Sequence, residues 1–161
     1  MLLRLCQSLQ HVSWLVTVSK SAGMISTVWL IHYLGIFLLV GTTLIVDLCV
    51  LGVVGRGPSI AQLAGHLFPW MWTGLGLVVA SGFIMFGSEA TIFYPATAFR
   101  IKMLMLLLAL AFGVIVQRNA PKWGKLTSVP VGAKSIAFIS LVLWIAAILA
   151  ALEVPTFLPF A

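Results

Sequence analysis

Charge is what this sequence has least of. Of its 161 residues only 7% are charged, nine of them Lys or Arg and three Asp or Glu. Soluble domains carry about 25% charged residues, so there is too little polar surface here to cover a globule in water. The three acids, Asp47, Glu89 and Glu153, lie far apart in the chain, which leaves little from which to build a paired-carboxylate mechanism. Two cysteines, Cys6 and Cys49, sit in different kinds of segment without metal-type spacing; a disulfide framework or zinc site is not expected. A phosphate loop, a nucleophile elbow and an H-E-x-x-H helix are all missing. Catalysis without a cofactor is therefore not expected. Ten-residue segments of alternating hydropathy are missing too, which argues against a membrane barrel.

What the chain has instead is apolar length. It is 62% hydrophobic, with a mean hydropathy of +1.20. A helix crossing a bilayer needs roughly 20 mostly apolar residues and satisfies its own backbone on the way. Four stretches meet that standard, at residues 24–51, 67–86, 99–116 and 136–152. The expected fold is all-α, a single domain over residues 1–161 built as an integral membrane bundle of four transmembrane helices. Before them, "MLLRLCQSLQHVSWLVTVSK" has Leu2, Leu5, Leu9 and Val12 on one helical face. No small-residue cleavage site follows it, so residues 1–20 read as an interfacial amphipathic helix with Trp14 near the headgroups rather than as a signal peptide. "GRGPS", "GSEATIFYPATAF" and "RNAPKWGKLTSVPVGAK" separate the spans, and the two prolines of "EVPTFLPFA" end the last helix.

A net charge of +6 would suggest nucleic acid in a soluble protein. Here the basic residues fall between spans, and topology explains them better. Arg56, Arg118, Lys122, Lys125 and Lys134 follow spans one and three; Arg4, Lys20, Arg100 and Lys102 lie on the other side. By the positive-inside tendency, both termini face away from the cytoplasm. The lipid bilayer is the expected partner, and nucleic acid is not.

Polar residues inside the spans are the candidates for function, because burying an ionisable group there costs at least ~2.5 kcal/mol. "TVWLIHYLGIFLLVGTTLIVDLCVLG" holds His32 near its start and Asp47 about 22 Å further along the helix axis, within about 60° of the same face. His32 and Lys102 start parallel spans and should share a leaflet, with Glu89, Tyr94 and Arg100 near that surface and His11 as a further neighbour. His66 starts an oppositely directed span and should lie near Asp47 and Arg56. His32 and His66 are thus poor candidates for the two ligands of one haem. The plainer readings are that His32 is a hydrogen-bonded packing residue, that Lys102 snorkels, and that His66 sits at the interface. Asp47 is expected to pair with Arg56 or a loop lysine and fix the helix end. Met71, Met85, Met103 and Met105 read as packing, Trp29, Trp70, Trp72, Trp123 and Trp144 as interface anchors, and Gly35, Gly41, Gly74, Gly76 and Gly82 as points of helix contact.

Three stretches, "WLIHYLGIFLLVGTTLIVDLCVLG", "LFPWMWTGLGLVVASGFIMF" and "FRIKMLMLLLAL", resemble a family of small bacterial membrane proteins classed as a domain of unknown function. Cys49 stands where members of that family usually have arginine. More remotely, the chain is similar to HemJ-type protoporphyrinogen oxidases, regarded as b-haem proteins, at His32 and Lys102, and to copper-resistance D-type membrane domains at the early-span histidine. These resemblances imply a bacterial inner-membrane protein. On this footing the expected function is a b-type haem-binding redox protein. His32 is then the metal ligand, and Lys102 and Arg100 are the cationic partners of haem b or a substrate carboxylate. The alternatives are an accessory subunit of a larger membrane complex and a copper or small-solute permease; partners would be other membrane redox proteins or subunits.

Overall fold

The computed structural model describes residues 2–54, 60–126 and 128–153, of which the side chains of residues 2–5 and 152–153 are not described. Among these residues there are only helices: α1 (Leu2–Gln10), α2 (Ser13–Lys20), α3 (Ala22–Leu51), α4 (Ile60–Ser88), α5 (Ala90–Phe93), α6 (Thr97–Trp123) and α7 (Val131–Glu153). Four are long and apolar enough to cross a membrane, at Ala22–Leu51, Ile60–Ser88, Thr97–Trp123 and Val131–Ala151. This is the expected all-α four-helix bundle. The helices outrun the apolar stretches, because helix formation continues through polar first and last turns that hydropathy alone does not count. The N-terminal segment is two short helices rather than one, broken at His11 and Val12.

Each long helix is antiparallel to its two neighbours. α3 packs on α4 and α7, α6 packs on α7 and α4, and α3 and α6 lie diagonally across the bundle. The α3–α4 contact is the closest, and glycine is the reason. A Cβ on Gly74 would lie 2.6 Å from the Leu39 nitrogen and 2.8 Å from the Gly35 oxygen, and a Cβ on Gly35 would lie 2.9 Å from Leu77 Cβ. Small residues let two backbones touch where lipid gives no hydrophobic drive for association. Gly41 and Gly76 meet nothing within 4 Å, so the glycine contacts are confined to one face.

The interior is small and the exterior greasy. Val46, Val50, Ala64, Val116, Ala120, Ala133 and Ala137 form one core cluster, and Leu39, Met71, Val78, Ala109 and Trp144 the next. Leu30, Phe37, Val79, Leu107 and Leu149 are exposed, as befits helices apolar all round that face acyl chains. Trp29, Trp70 and Trp72 also point outward. Trp144 does not: it is 2% exposed in the core, so the interface-anchor reading fails for it. Position along a helix gave its depth but not the side it faces.

Helix ends follow local chemistry. Gly52 takes a left-handed conformation (φ 81°), and the amides of Gly52 and Val53 bond the carbonyls of Cys49 and Leu48, a closure that glycine permits cheaply. At the opposite end of the bundle, α1 and α2 pack across α3, α4 and α5. Leu15, buried, fills the space left by Gly87. Gln10 donates to the Ser88 carbonyl (3.3 Å) and accepts from the Thr91 hydroxyl (3.0 Å).

Gly74→Ala should lower the stability of the detergent-solubilised protein by about 1–3 kcal/mol, the usual cost of overpacking. Gly76→Ala, with open space for its methyl, should leave it unchanged or slightly raised. Thermal or denaturant unfolding of the two variants side by side checks this; equal behaviour would contradict the packing described.

Candidate functional site

The antiparallel register that sets Gly74 against Leu39 also brings Ser81 on α4 to His32 on α3. Nδ1 of His32 is 2.9 Å from Ser81 Oγ, and the backbone of Val78 lies close to the ring. Both side chains are buried. The Ser81 hydroxyl has one proton, and it donates that to the Leu77 carbonyl in a short bond of 2.5 Å. Serines and threonines inside apolar helices commonly satisfy themselves one turn back. With its proton committed, Ser81 Oγ is left to accept, so His32 Nδ1 carries the hydrogen. The second ring nitrogen, Nε2, then holds a lone pair, and the ring's other close polar neighbour is the backbone of Val78. This is the tautomer that metal-ligating histidines adopt, with the non-ligating nitrogen fixed by an outer partner.

Two further residues complete the site. Gly82 lies against the imidazole: a Cβ there would sit 3.4 Å from His32 Cε1. Lys102, half-buried on α6, is close enough for its charge to act on the ring. His32 and Lys102 therefore lie toward the same end of the bundle, as the parallel course of their helices requires. Lys102 has no ion-pair partner among the described residues: Glu89 is the one acidic side chain described at that end, and no bridge joins them.

The remaining candidates part company with this pair. Arg100 is exposed and turned onto Tyr94, its Nε donating to the Tyr94 carbonyl at 3.2 Å and its guanidinium 5.5 Å from the ring centre. It is two residues from Lys102 on a helix, which at about 100° per residue puts it on a different face. His11 is exposed. His66 is exposed, its Nδ1 2.8 Å from the Gln62 carbonyl one turn back, and so does not join Asp47. Arg56 lies outside the described residues.

Asp47, near the end of α3, is 1% exposed and faces the bundle interior, so the loop lysines are not its partners, and the expected pairing with Arg56 falls outside the described residues. Lys122, Lys125 and Lys134 all point outward. What faces the carboxyl is Ser140 of α7, and Oδ2 has no hydrogen-bond partner.

Sequence reasoning missed Ser81 and Ser140. A serine in an apolar span ordinarily back-bonds to its own helix, so neither stood out. The one available signal was that Ser81 adjoins Gly82 in "VVASGF", a polar group next to a gap on the Gly74 face. No protein-family model, no curated protein and no solved structure matches this chain.

Nitrogen-15 NMR of histidine-labelled protein should find His32 with the proton on Nδ1 and a bare Nε2. In Ser81→Ala that fixed tautomer should give way to a mixture. A proton on Nε2 in the unaltered protein would contradict the geometry.

Proposed function

We propose that this chain is a multi-pass protein of a bacterial inner membrane that binds b-type haem in one leaflet and serves in electron transfer, with both termini on the non-cytoplasmic side. The observation that carries the reading is the His32 imidazole held at Nδ1 by Ser81, which makes Nε2 the lone-pair nitrogen. The other residues fit the group as well. Gly82 keeps the space beside the ring free of a side chain, and Lys102 offers an unpaired cation for a propionate in the same leaflet. Arg100, held on Tyr94, is not part of this set. The likeness to HemJ-type proteins at His32 and Lys102 points the same way.

When bound, haem supplies one-electron chemistry. The chain's own residues hold and tune it. His32 would hold the iron through Nε2, and Ser81 fixes the ring's tautomer and orientation. Lys102 offsets a carboxylate charge that would otherwise stand uncompensated in the membrane.

One observation favours a second reading, an accessory subunit in which His32 only ties α3 to α4: the His32 side chain is just 7% exposed. A permease for copper has less support. Among the described residues no three His, Cys, Asp or Glu side chains converge, and Met71 is in the core.

Protein purified from haem-replete cells should show a b-type reduced-minus-oxidised spectrum and a positive pyridine haemochrome assay. His32→Ala should abolish both. Ser81→Ala should weaken haem retention by about 10–100-fold, the usual effect of losing a ligand's outer partner. A colourless, folded protein that co-purifies with other membrane subunits would overturn the haem reading in favour of the accessory one.

A further inference from the structure

A second polar site lies in the bundle interior toward the other end of α3, and the haem reading makes no use of it. Three buried side-chain atoms there have no hydrogen-bond partner: Asp47 Oδ2, Ser140 Oγ and Trp144 Nε1. All three residues are at most 2% exposed. Ser140 and Trp144 are one turn apart on α7 and so share a face, and Ser140 faces the Asp47 carboxyl without closing a bond of normal geometry.

The contrast with the other buried hydroxyls is informative. Thr42 donates to the Leu38 carbonyl (2.6 Å), Thr43 to that of Leu39 (2.9 Å), and Ser81 to that of Leu77. Each is satisfied by its own helix. Ser140 alone among them makes no bond to its own helix; it faces the Asp47 carboxyl, and one turn along the same face of α7 the Trp144 indole N–H is without a partner too. Buried polar groups are nearly always paired, and orphans on neighbouring turns of two facing helices point to a ligand or a bound water.

The three groups also have complementary chemistry. Asp47 Oδ2 accepts, Trp144 Nε1–H only donates, and Ser140 does either. A metal cation suits this set poorly, because the indole N–H would face it with a positive hydrogen. A water molecule suits it well, accepting from the indole and donating to the carboxyl oxygen.

Charge decides the state of the acid. No charged side chain among the described residues faces Asp47. The group that faces it is Ser140 of α7, and Val46, its neighbour in the chain, belongs to the apolar cluster with Val50, Ala64, Val116 and Ala137. Cys49, two residues on, is half-buried, while Arg118, Lys122, Lys125, Lys134 and His66 are exposed. An ionised carboxylate here would be an unpaired charge in the bundle core, which is costly. The neutral acid can donate as well as accept.

We propose that Asp47, Ser140 and Trp144 form a proton-binding site in which the Asp47 carboxyl holds a proton and exchanges it through one bound water. On loading, a proton passes from the hydrated site to the carboxylate oxygen and leaves neutral water behind; release is the reverse.

The chain's poverty in acids makes this testable in the full-length protein. Only Asp47, Glu89 and Glu153 can contribute side-chain carboxyl bands. Infrared spectra of protein in phosphatidylcholine vesicles, at neutral pH and in normal and heavy water, should contain the carbonyl band of a protonated carboxylic acid. Asp47→Asn should remove it. In heavy water the band should move to lower frequency within minutes, well before the core helical amides exchange. Trp144→Phe should shift it through the shared water, with the helical amide bands unchanged. Three results would each overturn the proposal: no protonated-acid band in the unaltered protein, a band that does not respond to heavy water, or one indifferent to Trp144→Phe. None of these readouts depends on haem.

Discussion

The backbone contact between α3 and α4 at Gly35 and Gly74 is the constraint on which everything else rests. In a membrane the helices gain nothing by hiding from lipid, so they associate where their surfaces interlock. At this contact a single methyl group on either glycine would collide with the facing helix. Once that approach is fixed, the antiparallel register follows, and with it the meeting of His32 and Ser81 about a turn away. The polar chemistry at one end of the bundle is thus a consequence of two missing side chains. α6 and α7 then close the bundle, bringing Lys102 toward the same ring from the diagonal helix and Ser140 toward Asp47 from the adjacent one.

Two polar sites result, separated by an apolar layer. His32, Ser81 and Lys102 lie toward the end capped by α1 and α2; Asp47, Ser140 and Trp144 lie toward the other. Between them Leu39, Met71 and Val78 are packed with almost no exposure. The two hydroxyls of that stretch, Thr42 and Thr43, are turned back on their own carbonyls. Among the described residues no continuous hydrogen-bonded path joins one site to the other. The two sites differ in character as well. The first presents an imidazole lone pair and a cation, suited to a metal-centred or anionic ligand. The second presents an acid, a hydroxyl and an indole, suited to water and protons.

Length and hydropathy made the four spans legible in sequence, because crossing a bilayer imposes both. Depth was legible as well. The rise per residue put His32 and Lys102 toward one end of the bundle and Asp47 toward the other; Lys102 does lie near His32, while Asp47 faces Ser140 of α7. Azimuth was not. Asp47, near the end of α3, and Trp144, midway along α7, both face inward. Arg100 was grouped with Lys102 because it is near in sequence, yet Tyr94 draws it outward. Which side of a uniformly apolar helix meets its neighbours is decided by small residues on two helices at once. A single sequence shows only which residues are small. Ser81 and Ser140 escaped notice for the same reason, since their importance lies in what another helix sets beside them.

The most direct test is an experimental density map of the chain in lipid nanodiscs, purified from haem-replete cells, at a resolution that shows side chains. The account predicts density joined to His32 Nε2 on the Lys102 side of the bundle core, with Ser81 at hydrogen-bond distance from Nδ1. Nε2 bonded instead to a protein group, with apolar side chains closed over it, would show that His32 serves only to hold α3 to α4.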